Sequence, residues 1–93
     1  MLTPDLEEIE MQVKEILSKT LNIDKDKITP DKKLLEDLGI DSFTFVELAF
    51  ELEDQAEITI LDADLMRLKT VQDVGFYLYF RLCAKAANLY KPK

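Results

Sequence analysis

Residues 35–54 read LEDLGIDSFTFVELAFELED, and from Ser42 onward this stretch contains neither Gly nor Pro. At about 100° per residue, Phe45, Leu48, Ala49 and Leu52 fall on one side of a helix and form an ordinary core stripe. The spacing predicts a helix from Ser42 to Asp54 or a little beyond. Phe43, Val46 and Phe50 fall on nearly the opposite side, beside Glu47 and Asp54, so the helix would display a second, smaller apolar stripe ringed by acids. Exposed apolar groups rimmed by charge are a common form of partner-binding surface. A helix buried on both sides is the alternative, and it leaves Glu47, Glu51 and Asp54 difficult to solvate.

Upstream, Leu6, Ile9, Val13, Ile16 and Leu17 form one apolar stripe. A first helix is expected to start with Thr3 as its cap and Pro4 in its first turn, and to end near Thr20. A long connection follows from Leu21 to Asp41, carrying turn residues and the apolar anchors Ile23, Ile28, Leu34, Leu35, Leu38 and Ile40. Downstream, Asp62 and Asp64 precede Leu65, Met66 and Leu68, which suits a short third helix. Thr70 and Asp73 have the spacing of a capping box for a last helix from Val71 to about Asn88. Glu57-Ile58-Thr59-Ile60 alternates like a strand but has no evident partner. The expected architecture is an all-α four-helix bundle, three longer helices and a short third one, with a long loop between the first two, in one domain over residues 1–93.

The 93 residues carry 12 Lys and Arg against 19 Asp and Glu, a formal charge of -7. Ten of the acids, and no base, lie between Leu34 and Met66, so the charge gathers around the second helix. Such a field favours basic partner proteins over nucleic acid or anionic membranes. With no histidine, Ser-His and Cys-His couples and imidazole metal ligands are excluded within the chain. Cys83 is the only cysteine, which excludes an internal disulfide or zinc-thiolate cluster and fits a reducing, cytoplasmic location. The longest apolar run, Val74 to Leu82, is interrupted by Gly75 and Arg81 and falls short of the roughly 20 residues of a membrane span.

Ser42 stands where a helix start offers unpaired N–H groups and a partial positive charge, a favourable place for a phosphate, with Asp41 opposing it locally. No base in the chain activates Ser42 as a nucleophile. It is therefore either a site modified by another enzyme or a helix cap. Asp24 and Asp26 raise the alternative of a calcium loop, which is weakened by Thr29 at the sixth position and Leu35 at the twelfth. An enzyme acting alone is the least supported reading, since nothing marks a pocket that would raise a carboxyl pKa.

Residues 35–48, with Asp41-Ser42 after Gly39 and then Val46-Glu47-Leu48, resemble the modification motif of acyl carrier proteins. Residues 28–34 resemble the family's first loop, and residues 58–60, the Asp62 and Asp64 acids and residues 70–74 resemble the entries to its third and fourth helices, so the likeness runs from about Leu6 to Leu82. It implies a non-catalytic carrier. A phosphopantetheinyl transferase would attach 4'-phosphopantetheine to Ser42, Asp41 would help hold the transferase's metal ion, and acyl groups would ride on the arm as thioesters. Acyl synthases, ligases or transferases with basic patches would dock on Phe43, Val46, Glu47, Phe50, Glu53 and Asp54, with the carrier a monomer. An apolar space between the helices would shelter the chain, its volume set in part by Leu48 and Leu68. A peptidyl or aminoacyl carrier shares the fold, and an acidic interaction module without an arm is the rival from another class.

The sequence departs from the family pattern at Phe43, where Leu is usual, at Phe45, where Thr or a small aliphatic is common, and at Ala56 and Leu61, often Phe and Pro. In the last helix, Val71, Val74, Leu78 and Leu82 form the core stripe. Phe76, Tyr79, Phe80 and Cys83 lie elsewhere around it, expected to cover the first helix and the long loop, or else to form a second contact surface.

Overall fold

A computed structural model describes residues 4–87. Helix α1 spans Leu6–Leu21, and its cap is Asp5: Oδ1 accepts the N–H groups of Glu7 at 3.0 Å and Glu8 at 3.4 Å. The start expected at Thr3 is thus displaced, since an ionised carboxylate satisfies two orphan donors at the positive end of the helix; Thr3 itself lies outside the described residues. The helix stops where Asn22 turns left-handed, φ 56°, and its N–H returns to the Ser18 carbonyl.

Helix α2 spans Ser42–Ala56, α3 spans Asp62–Leu65 and α4 spans Val71–Ala86. The expected capping box is present: Asp73 N–H donates to Thr70 Oγ1 at 3.1 Å, and Thr70 N–H to Asp73 Oδ2 at 3.0 Å. The far end expected near Asn88 lies outside the described residues.

Helix α1 lies against α4 and α2. Ile9, Val13, Ile16 and Leu17 meet Leu48 and Leu52 of α2 and Val71, Val74, Leu78 and Leu82 of α4 in one core. Fully burying such a side chain is worth about 1.5–3 kcal/mol. Ile58 and Ile60 are buried while Glu57 and Thr59 face solvent, so the strand-like alternation serves two anchors of an irregular connection.

The long connection contains a 3-10 turn at Lys25–Lys27 and is fixed by Ile28, Leu34 and Ile40, all buried. It is also sewn to the approach to α4. Leu34 N–H donates to Lys69 O at 2.8 Å, Val71 N–H to Lys32 O at 3.0 Å and Gln72 N–H to Pro30 O at 2.9 Å. Leu35, expected among the anchors, is 67% exposed: the chain turns over residues 34–38, where Asp37 N–H returns to Lys33 O and Gly39 N–H to Leu35 O, and it is Leu34 that this turn buries. Phe80 is 70% exposed, so it does not cover α1 or the loop; Tyr79, expected to cover them with it, packs against the core, as does Tyr77. Asp24 and Asp26, weighed as calcium ligands, flank and join the 3-10 turn, and among the described residues no three acidic or Cys side chains gather where they could hold a metal ion.

Candidate functional site

The approach to α2 is a sharp bend. Gly39 adopts φ +68°, a left-handed conformation that costs an L-residue about 1–2 kcal/mol. Ile40, 3% exposed, then anchors the chain in the core, its N–H bonded to Leu34 O at 3.0 Å. Asp41 is the helix cap, with Oδ1 accepting Thr44 N–H at 2.8 Å. That backbone donor holds the Asp41 carboxyl below the usual carboxylate range. Ser42 is the first helical residue and is exposed. The cap role weighed for Ser42 therefore belongs to Asp41, and the Ser42 hydroxyl takes no hydrogen-bond partner among the described residues.

Ser42 lies on the wall of a cleft of about 560 Å³ between the long connection, the start of α2 and the segment after α3. Its apolar lining comes from Leu34, Ile40, Phe45, Leu65 and Leu68, and Lys33 and Lys69 also contribute. Leu68 is where the sequence places a cleft residue; Leu48 is not, being wholly buried in the core behind it. The bulky Phe45 reaches the lining. Leu35 and Met66, 67% and 76% exposed, line the same cleft, whereas the sequence marks them only as a loop anchor and a third-helix residue. The only available signal was their position, one residue after the inward-facing Leu34 and Leu65.

One face of α2 carries the exposed apolar stripe that the helical spacing predicts: Phe43 is 73%, Val46 47% and Phe50 65% exposed. Glu47, Glu51 and Asp54 are exposed around it and make no ion pair among the described residues. Glu53 differs. It is half-buried, and its Oε2 accepts Ile60 N–H at 2.7 Å, which commits it to holding the connection to α3.

On the far side of the cleft, α3 is tied to α4. Tyr77 Oη–H donates to Asp64 Oδ2 at 2.8 Å, and Arg81 donates from Nη1 to Tyr77 Oη and from Nη2 to Thr59 O, the latter at 2.8 Å. Burial, with the Asp64 carboxylate as acceptor, pushes the Tyr77 phenol up to about 12.

An unpartnered serine thus stands exposed at a helix start, beside an apolar cleft and an acid-ringed helix face. Residues 12–78 match the family model for the phosphopantetheine attachment site. An acyl carrier protein of Bdellovibrio bacteriovorus is 41% identical over 70 residues, covering 75% of this chain and 90% of that one. The solved structure of a candidate acyl carrier protein from Mycobacterium tuberculosis superposes with TM-score 0.70 at 33% identity, covering 81% of this chain and 97% of the other. The HMG-ACPI domain of the CurA module from Lyngbya majuscula shares the fold, with TM-score 0.78 at 23% identity, covering 92% of this chain and 86% of that one. The chain belongs to the acyl carrier protein family, whose members hold acyl intermediates on a covalently attached 4'-phosphopantetheine arm. Such carriers are generally non-catalytic and work with a phosphopantetheinyl transferase and acyl-handling enzymes. Among the described residues no helix is long and apolar enough to cross a membrane.

Proposed function

We propose that Ser42 bears the arm and that the chain itself performs no chemistry on the cargo. The observation that carries this reading is the exposed Ser42 hydroxyl, left without a partner because Asp41 takes the cap, on the wall of the cleft of about 560 Å³. The site fits the group: the phosphate would lie near the free N–H groups of the first turn of α2, which favour an anion. The flexible part would then reach an apolar lining. The arm supplies a thiol on which an acyl group is held as a thioester. In the attachment step Ser42 Oγ would bond to the phosphorus of the arm as the pyrophosphate linkage of coenzyme A breaks, adenosine 3',5'-bisphosphate would leave, and the Ser42 proton would pass to a base of the transferase. Asp41, exposed and ionised at neutral pH, is available to that enzyme's metal ion.

Partner enzymes with basic patches would dock over Phe43, Val46 and Phe50, steered by Glu47 and Asp54. The apolar lining of the cleft favours an acyl over an aminoacyl cargo. The lone Cys83 supports work in a reducing compartment such as the cytoplasm. The test is intact mass after incubation with coenzyme A and a broad-specificity phosphopantetheinyl transferase. The wild type should gain the mass of one arm and Ser42→Ala none. Absence of a gain in the wild type, or an equal gain in the variant, refutes the assignment.

A further inference from the structure

Helix α3 is four residues long and none of them is buried, yet Leu65 and the residues just after it form one wall of the cleft beside Ser42. A segment with so little buried apolar surface is drawn from the low-stability end of a fold. Its own backbone bonds reach no further than Leu61 to Leu68. Its apolar attachment rests on the half-buried Leu65 and on Leu68, which is 8% exposed. What joins it to a long helix is polar: Asp64 accepts the Tyr77 hydroxyl at 2.8 Å and lies 3.8 Å from Arg81 Nη1. Arg81 completes the arrangement from three directions. It donates to Tyr77 Oη, it donates to Thr59 O in the connection leading into α3, and its guanidinium carbon sits 5.4 Å from the Tyr77 ring centre. Asp64 and Arg81 side chains are only 26% and 19% exposed, so this charged pair is screened less than a surface ion pair.

We infer that Tyr77 and Arg81 are positioning residues that latch α3 against α4, hold that wall of the cleft in place, and so set how well the cleft shelters an acyl chain. Neither Tyr77 nor Arg81 is among the residues that line the cleft. They act through Asp64 and Thr59 on the wall that the cargo would meet. The second part of the inference rests on the carrier reading above; the first part does not.

Amide hydrogen exchange on the unmodified chain tests the latch. Tyr77→Phe removes the donor to Asp64 while keeping the ring, and Arg81→Lys keeps the charge while losing the planar fork. Each should speed exchange over residues 62–68 by about tenfold, the change that one lost hydrogen bond of ordinary net strength produces, with exchange in α1 unchanged. Lys85→Ala is the control, since Lys85 donates from the same helix to Glu57 O at 2.9 Å without reaching α3; it should leave residues 62–68 as they are. Unchanged exchange over 62–68 in Tyr77→Phe, or the same acceleration in Lys85→Ala, overturns the latch.

The consequence for cargo is read on chains loaded with short, medium and long saturated acyl thioesters and cleaved by hydroxylamine. The wild type should protect the longer chains, and Tyr77→Phe should lose that protection by several-fold while the shortest chain cleaves at the wild-type rate. Equal rates in both proteins at every length overturn the link to cargo. If Ser42 accepts no arm, the carrier assignment falls while the exchange experiment still decides the latch.

Discussion

Glu53 is the residue to which the family resemblance and the three-dimensional structure assign different work. The resemblance counts it among the docking residues of α2, whereas the structure gives its Oε2 to Ile60 N–H at 2.7 Å, across seven residues. Ile60 is 6% exposed and plugs the connection between α2 and α3, so its amide has little access to water once Glu53 is gone. Hydrogen bonds to charged groups contribute about 1.5–3 kcal/mol. The half-buried position of Glu53 argues for the lower end, so Glu53→Ala should cost about 1.5 kcal/mol. For a domain of this size that is a fall in melting midpoint of roughly 6–12 °C. Glu53→Gln keeps an acceptor oxygen in the same place and should cost about 0.5 kcal/mol, the charge assistance alone. The assay is thermal unfolding of the three proteins side by side, with the rate of arm attachment measured on each. The anchoring account expects the order wild type, Gln, Ala in stability and near-equal attachment rates for wild type and Gln. It is refuted if Gln destabilises as much as Ala, or if Ala leaves the midpoint unmoved.

Reversing Glu47 and Asp54 to Lys should lower association rates with basic partner enzymes about tenfold at low salt, with the difference shrinking at high salt; a salt-independent effect would remove the electrostatic part of the docking proposal. Gly75→Ala should stabilise α4 by about 0.5–1 kcal/mol, because an added methyl meets only Glu10 Cγ at 3.6 Å, an ordinary contact; a lower denaturant midpoint would contradict this. Asp41, whose native pKa is depressed by its capping bond to Thr44, stabilises the fold fully above the unfolded carboxylate value of about 3.9, and loses that contribution as pH falls through the lower native value. Asp41→Asn remains a good cap without a charge, so its stability should fall less steeply on acidification, and parallel acid limbs for the two proteins would count against the capping role.

The long helices are legible because burial leaves its period in the chain. Ile9, Val13, Ile16 and Leu17, and again Val71, Val74, Leu78 and Leu82, repeat at helical spacing and are all buried. What the sequence leaves open is decided by backbone bonds that carry no residue-type signal. Leu34 and Leu35 are chemically identical neighbours; the bonds from Leu34 N–H to Lys69 O and from Val71 N–H to Lys32 O pin the chain where a turn over residues 34–38 begins, and that placement buries Leu34 and leaves Leu35 exposed. The resemblance likewise gives Glu53 a place among the docking residues, but not the fold of residues 57–60 that brings Ile60 N–H within its reach. The aromatics of α4 show the opposite failure. Large apolar side chains invite burial by type, yet Phe76 and Phe80 point away from the stripe set by Val74 and Leu78, and the helix obeys its stripe.

The serine site is legible for a reason that joins both levels. At a helix start only the capping residue has the extended backbone that lets its side chain turn back to the amide three residues on. Asp41 has that backbone, φ -85° and ψ 177°, and makes that bond to Thr44. The next residue already has helical geometry, so the hydroxyl of Ser42 cannot compete for the same donor and stays available to solvent or to another enzyme. Exchanging the two residues would place the carboxylate on the outside and the hydroxyl in the cap, with the helix capped about as well. Helix stability alone therefore does not fix the order Asp41-Ser42, whereas the arm attachment proposed for Ser42 would, since it needs a free hydroxyl on the wall of the cleft.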